Sequence, residues 1–117
     1  MTSQAPIEYE EQCAFVSWLE LKHLKFYAVP NSIRTPHIGA IMKAKKSGLR
    51  TGVPDLVVFV PNKGTVYIEM KRVKGGIVSP EQKEWIAFLN TIPATQAFVA
   101  KGAEEAKAII THFITTI

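Results

Sequence analysis

Between Leu21 and Pro54 the sequence contains no aspartate or glutamate, although Lys22, Lys25, Arg34, Lys43, Lys45, Lys46 and Arg50 all fall there. One-sided charge of this kind argues against a neutral small-molecule partner. It favours a phosphate backbone, so Lys43, Lys45, Lys46 and Arg50 are candidate DNA contacts. The plainer reading of the same run is a solvated helix end followed by a basic loop. Cysteine is nearly absent: Cys13 stands alone, which excludes an intramolecular disulfide and a thiolate metal cluster, and its apolar neighbours predict simple packing. His23, His37 and His112 lack metal-ligand spacing, and a lone exposed imidazole is the expected role of His37.

No apolar run approaches the length of a membrane span, and MTSQAPIEYEE puts acids where a secretory signal needs a basic region and then an apolar one. The expectation is a cytoplasmic protein with no membrane association. No repeat or low-complexity tract stands out in the 117 residues, which predicts a single domain over residues 1–117.

What is present reads as alternating helices and strands. IEYEEQCAFVSWLELKHLK, after Pro6, has acids at its start and lysines at its end. With Phe15, Val16 and Leu19 on one stripe, it predicts a helix from Ile7 to His23. FYAV predicts a strand over Phe26 to Val29, before the NSIRTP loop. Ile38, Ile41 and Met42 recur at helical spacing between His37 and Ser47. Asp55 to Val60 and Thr65 to Arg72 predict a hairpin around Pro61-Asn62-Lys63-Gly64. Ser79-Pro80-Glu81-Gln82 is a capping-box helix start, with Trp85, Ile86, Phe88 and Leu89 as the apolar face. Thr95 to Ala100 predicts a last strand, and Ala103 to Phe113 a last helix with Ala106, Ile109, Ile110 and Phe113 inward. The fold class is therefore α/β, a mixed central sheet flanked by helices in αβ(α)ββαβα order.

The chemistry is carried by IEMKR, residues 68 to 72. Side chains alternate along a strand, so Tyr67, Glu69 and Lys71 share one face and Val66, Ile68 and Met70 the other. A hairpin loop with an odd number of residues sets Asp55 opposite Glu69, whereas an even loop sets it opposite Met70. The odd loop is the expectation. Two carboxylates so placed repel unless a cation lies between them, and hard oxygen ligands suit Mg²⁺, with Mn²⁺ as a substitute. Such an ion activates water and neutralises charge on a phosphoryl oxygen, and Lys71 supports the same charge, which is the chemistry of phosphodiester hydrolysis. The structural alternative is an ordinary strand salt bridge.

GVPDL, IEMK and the SPEQ helix start together resemble the PD-(D/E)xK nuclease superfamily, and within it the VRR-NUC (virus-type replication-repair nuclease) family. The resemblance implies a restriction-endonuclease-like core and a metal-dependent DNA endonuclease. Asp55 and Glu69 would be metal ligands, the Met70 backbone carbonyl a further ligand, and Lys71 the catalytic lysine. It also calls for an acid on the first helix, where Glu8, Glu10, Glu11 and Glu20 are available. Glu8 continues the apolar stripe and is favoured, with Glu11 next. Gln82 matches a polar position of the motif, although its capping box with Ser79 is a sufficient structural reason for it. Asn31 and Arg34 lie where the family keeps polar residues near substrate, Arg34 as the better phosphate contact, with turn hydrogen bonds as the alternative. Trp18 and Trp85 are expected in the core or a dimer interface, and Tyr67 beside the metal or a base.

Small stand-alone members resemble Holliday-junction resolvases. The implied partners are branched DNA such as four-way junctions, a second copy in a homodimer, and a replication or repair protein. The competing expectations are a catalytically idle DNA-binding or dimerisation module, and a flap or single-strand nuclease component acting with a partner such as a helicase.

Overall fold

The computed structural model describes residues 7–29 and 37–116. Helix α1 spans Glu8–Leu21, with three glutamates in its first turn where the helix dipole favours them. Glu10 Oε1 accepts the Ile7 N–H at 3.0 Å and so satisfies one donor at the helix start. The helix stops two residues short of His23, because His23 takes a left-handed conformation (φ 57°) that ends the helical turn. Strand β1 follows at once, Lys25–Ala28, one residue earlier than its apolar pattern suggests.

Helix α2 covers Ile38–Lys46. Strands β2 (Leu56–Val60) and β3 (Gly64–Lys71) are antiparallel, joined by the three residues 61–63, with Asn62 left-handed at φ 66°. Helix α3 (Pro80–Leu89) carries the chain to strand β4 (Thr95–Lys101), which pairs parallel to β3, and helix α4 (Ala103–Thr115) follows. The sheet order is β1-β2-β3-β4, mixed as expected.

The two faces of the sheet are covered differently. Val66, Ile68 and Met70 of β3, with Leu56 and Val58 of β2, are fully buried against Phe15 and Leu19 of α1 and Ala106 and Ile110 of α4. Burial of each such large side chain contributes about 2 kcal/mol, and the pattern follows from the period-two alternation of strands meeting the 3.6-residue stripe of helices. Trp18 is half-buried, stacked on Phe15 with ring centroids 6.0 Å apart, and belongs to this core. α3 lies over the opposite face, where Leu89 is its buried residue and a cavity of about 220 Å³ remains between Val57, Tyr67, Trp85 and Leu89.

Two apolar expectations differ from the structure. Cys13 is exposed rather than packed, since it sits two residues, about 200° of helix rotation, from the buried Phe15. Phe88 is 55% exposed, because α3 buries only a narrow stripe ending at Leu89 and turns Phe88 outward beside Trp85. α2 forms where the spacing of Ile38, Ile41 and Met42 predicts a helix, but no residue of it is buried and Ile38 and Met42 are 72% and 65% exposed, because α1 and α4 occupy one sheet face and α3 the other. No described helix is long and apolar enough to cross a membrane.

Candidate active site

The register of the hairpin decides the site. Leu56 pairs with Ile68, and one step further sets Asp55 level with Glu69, the consequence of a three-residue loop. The Met70 N–H donates to Asp55 Oδ2 at 2.9 Å, while the Asp55 carbonyl accepts the Val29 N–H at 2.7 Å, so Asp55 is fixed at both backbone and side chain. A strand residue directs its N–H and C=O to the same side, which turns the Met70 carbonyl toward Asp55 as well.

Glu8, at the first turn of α1, completes the group. Carboxylate oxygens of Glu8, Asp55 and Glu69 all lie within 4.8 Å of one another. Glu11, the other first-helix candidate, has a different position: its Oε1 accepts the Ala103 N–H at 2.8 Å and serves the start of α4. One turn of helix therefore separates an acid at the site from an acid that joins two helices.

Glu69 is 1% exposed, and its Oε1 has no hydrogen-bond partner among the described residues. Its Oε2 accepts from Gln82 Nε2 at 3.0 Å and lies 3.6 Å from the Lys71 ammonium. Burial, then the charge of Asp55 and a hydrogen bond shared with it, push the Glu69 carboxyl up to about 8 despite the opposing Lys71 charge. Burial also raises Glu8, with Lys71 and Arg72 opposing and Asp55 reinforcing. Burial, reinforced by the neighbouring acids, thus holds the Glu69 and Glu8 carboxyls away from their ionised state.

Gln82 occupies both roles that its position allowed. Its Oε1 accepts the Ser79 N–H at 2.9 Å, the Ser79 hydroxyl accepts the Gln82 N–H at 3.2 Å, and the remaining amide nitrogen necessarily faces Glu69. The capping box thereby aims the amide at the carboxylate. Gly52 makes this approach possible: at φ 89°, a Cβ there would stand 2.7 Å from Glu81 Cβ and 2.8 Å from the Glu81 carbonyl carbon. The GVPD segment and the α3 start can meet only because that side chain is missing.

The basic candidates lie elsewhere. Lys43, Lys45 and Lys46 are exposed on α2, and the exposed Arg50 uses Nη1 to bind the Lys45 and Leu49 carbonyls at 3.2 and 3.1 Å. Asn31 and Arg34 fall outside the described residues. Tyr67 lies half-buried beneath α3, and His37 is exposed. Arg72, which the sequence pattern did not single out, lines a cavity of about 470 Å³ with Glu8 and Lys71. Its adjacency to Lys71 was the available signal.

Three carboxylates, an orphaned buried oxygen and a lysine at their edge form a donor set that fits a hard divalent cation: the ion would satisfy Glu69 Oε1 and relieve the repulsion among the acids. Comparison with known proteins agrees with the fold. A solved structure described as a VRR_NUC domain protein superposes with a TM-score of 0.77 at 24% sequence identity, over 95% of this chain and 90% of that one. The search of curated proteins gave no match. The family model for the VRR-NUC domain matches residues 2–104. With a mixed sheet between helices and its acids gathered at one end, the chain belongs to the VRR-NUC family of nucleases, on a restriction-endonuclease-like fold.

Proposed function

We propose that this protein is a metal-dependent endonuclease that hydrolyses DNA phosphodiester bonds, with branched DNA such as a four-way junction as its preferred substrate. The observation that carries the reading is the Glu8, Asp55 and Glu69 cluster, with the unpartnered Glu69 Oε1 and Lys71 beside it. Glu8, Asp55, Glu69 and the Met70 carbonyl would hold Mg²⁺, or Mn²⁺ in its place, which supplies an activated water and neutralises charge at the reacting phosphate.

The remaining work belongs to the protein's own groups. Asp55 is held by the Met70 N–H, and Gln82 fixes Glu69, so the acids are set before substrate arrives. Lys71, 8% exposed, would set its ammonium against the negative charge that develops on the phosphoryl oxygens. Lys43, Lys45, Lys46 and Arg50, together with Asn31 and Arg34, would hold the phosphate backbone away from the reacting bond. A homodimer would present two such sites to a junction of matching two-fold symmetry. A replication or repair protein, met in the cytoplasm, would deliver the substrate.

The test is cleavage of labelled four-way junction, flap and linear duplex DNA with Mg²⁺, Mn²⁺ or EDTA, with Lys71→Ala as control. Paired symmetric nicks on the junction, lost with EDTA and with the variant, support the reading in full. Cutting of the flap alone would leave the nuclease and overturn the junction preference, whereas binding without cutting under every metal would leave a DNA-binding module.

A further inference from the structure

The cavity beside the carboxylates has walls that catalysis does not require. Glu8 and Lys71 form its inner end, and its rim carries Ile7, Tyr9 and Ile77, which are 53%, 73% and 82% exposed. Large apolar side chains gathered at a catalytic rim mark a surface that something covers. Arg72 lines the same cavity, exposed, with its charge felt at Glu8 and one N–H on the Gly75 carbonyl at 3.4 Å. Gly76 lines it as well, and a Cβ there would stand 3.0 Å from Lys71 Cβ and crowd the lysine stem.

An aromatic face, a guanidinium fork and apolar cover around one cavity suit a nucleotide whose base is not stacked in a duplex: the ring takes the base and the guanidinium its phosphate. The volume, about 470 Å³, is in the range of pockets that enclose a small ligand. From these features we infer that the cavity is a subsite for an unpaired nucleotide adjoining the scissile phosphate, with Tyr9 as the stacking platform and Arg72 as the phosphate contact. The inference rests on the nuclease reading and deepens it, because the preferred strand would then be one that is locally single-stranded next to the cut.

Two measurements separate the failure of this subsite from the failure of the nuclease reading. In the first, DNA with 2-aminopurine in a short unpaired stretch is bound to Lys71→Ala in EDTA, where no cutting is needed. Quenching that persists in Lys71→Ala/Tyr9→Phe and disappears in Lys71→Ala/Tyr9→Ala supports the subsite; quenching unaffected by Tyr9→Ala, or absent throughout, overturns it. In the second, cleavage of matched DNAs with and without the unpaired stretch is compared. Tyr9→Ala should raise KM about tenfold more on the unpaired substrate than on the paired one, and equal effects on both would overturn the assignment. Arg72→Ala should reduce the salt dependence of binding by about one phosphate contact while Arg72→Lys retains it; an unchanged slope removes Arg72 from the phosphate. A chain that cuts nothing but still quenches would lose the nuclease and keep the pocket.

Discussion

Strand β3 carries two environments a single residue apart. Val66, Ile68 and Met70 face α1 and α4 and are fully buried among hydrocarbon, while Glu69 and Lys71, at 1% and 8% exposure, face the opposite way into a region of acids and an amide. The first face gains stability from the burial of hydrocarbon; the second buries charges that cost free energy and leaves an open volume of about 220 Å³ under α3. Labour is divided between them: one face of the strand holds the fold rigid enough that the other can hold repelling carboxylates in place.

The largest expected effect breaks the second face and spares the first. Glu69→Gln should lower DNA cleavage by about a hundredfold or more, because a ligand-bearing charge is lost from the reacting centre. Melting of the metal-free protein should rise, since the amide no longer repels Asp55 and Glu8. Lower activity with a lower melting point would mean that the buried acid is structural. Ile68→Ala is the converse. It should cost about 2–5 kcal/mol of unfolding free energy by denaturant titration, through lost burial and the cavity left behind.

Much of this division was legible in the sequence, because it rests on local rules. Alternation along TVYIEMK separates the two faces and PNKG marks the turn, but the odd length that sets Asp55 against Glu69 comes from Gly64 joining β3, which leaves three loop residues rather than the four the pattern suggests. The choice between Glu8 and Glu11 was not legible. Both sit near the start of α1, and only the packing of α4 against that helix gives the Ala103 N–H to Glu11. The apolar stripe of α2 was read correctly as a helix, and its exposure shows the limit of that signal: helical spacing reports a helix, while burial depends on whether a sheet face remains to receive it. Likewise sequence treats the cap and the reach toward Glu69 as alternatives for Gln82, and one side chain with two ends makes both contacts.

A pH series sharpens the contrast. The Glu69 carboxyl is raised to about 8 in the folded chain from an ordinary value of 4.5, and Glu8 is raised as well. Between pH 4.5 and 8 the folded state therefore holds protons that the unfolded state has released. Stability of the metal-free protein then falls as pH rises through that window, the reverse of a salt-bridged carboxylate. Thermal melting in EDTA at stepped pH should show this decline in the native chain and a flatter profile in Glu69→Gln. A parallel decline in both would assign the effect to other groups.

The smallest effect concerns the helix that reaches across to the charged face. Ser79→Ala removes the hydroxyl that accepts the Gln82 N–H and should cost about 1 kcal/mol of unfolding free energy, the ordinary value of a helix cap. Gln82→Glu keeps an acceptor for the Ser79 N–H but replaces the Nε2 donor to Glu69 with a further negative charge. If Gln82 serves only the cap, Gln82→Glu should melt close to the native chain and cut DNA at the native rate. If it positions Glu69, cleavage should fall about tenfold while the helix remains capped. A Gln82→Glu variant with native cleavage would confine Gln82 to the fold and leave Lys71 as the sole described neighbour that steadies Glu69 Oε2.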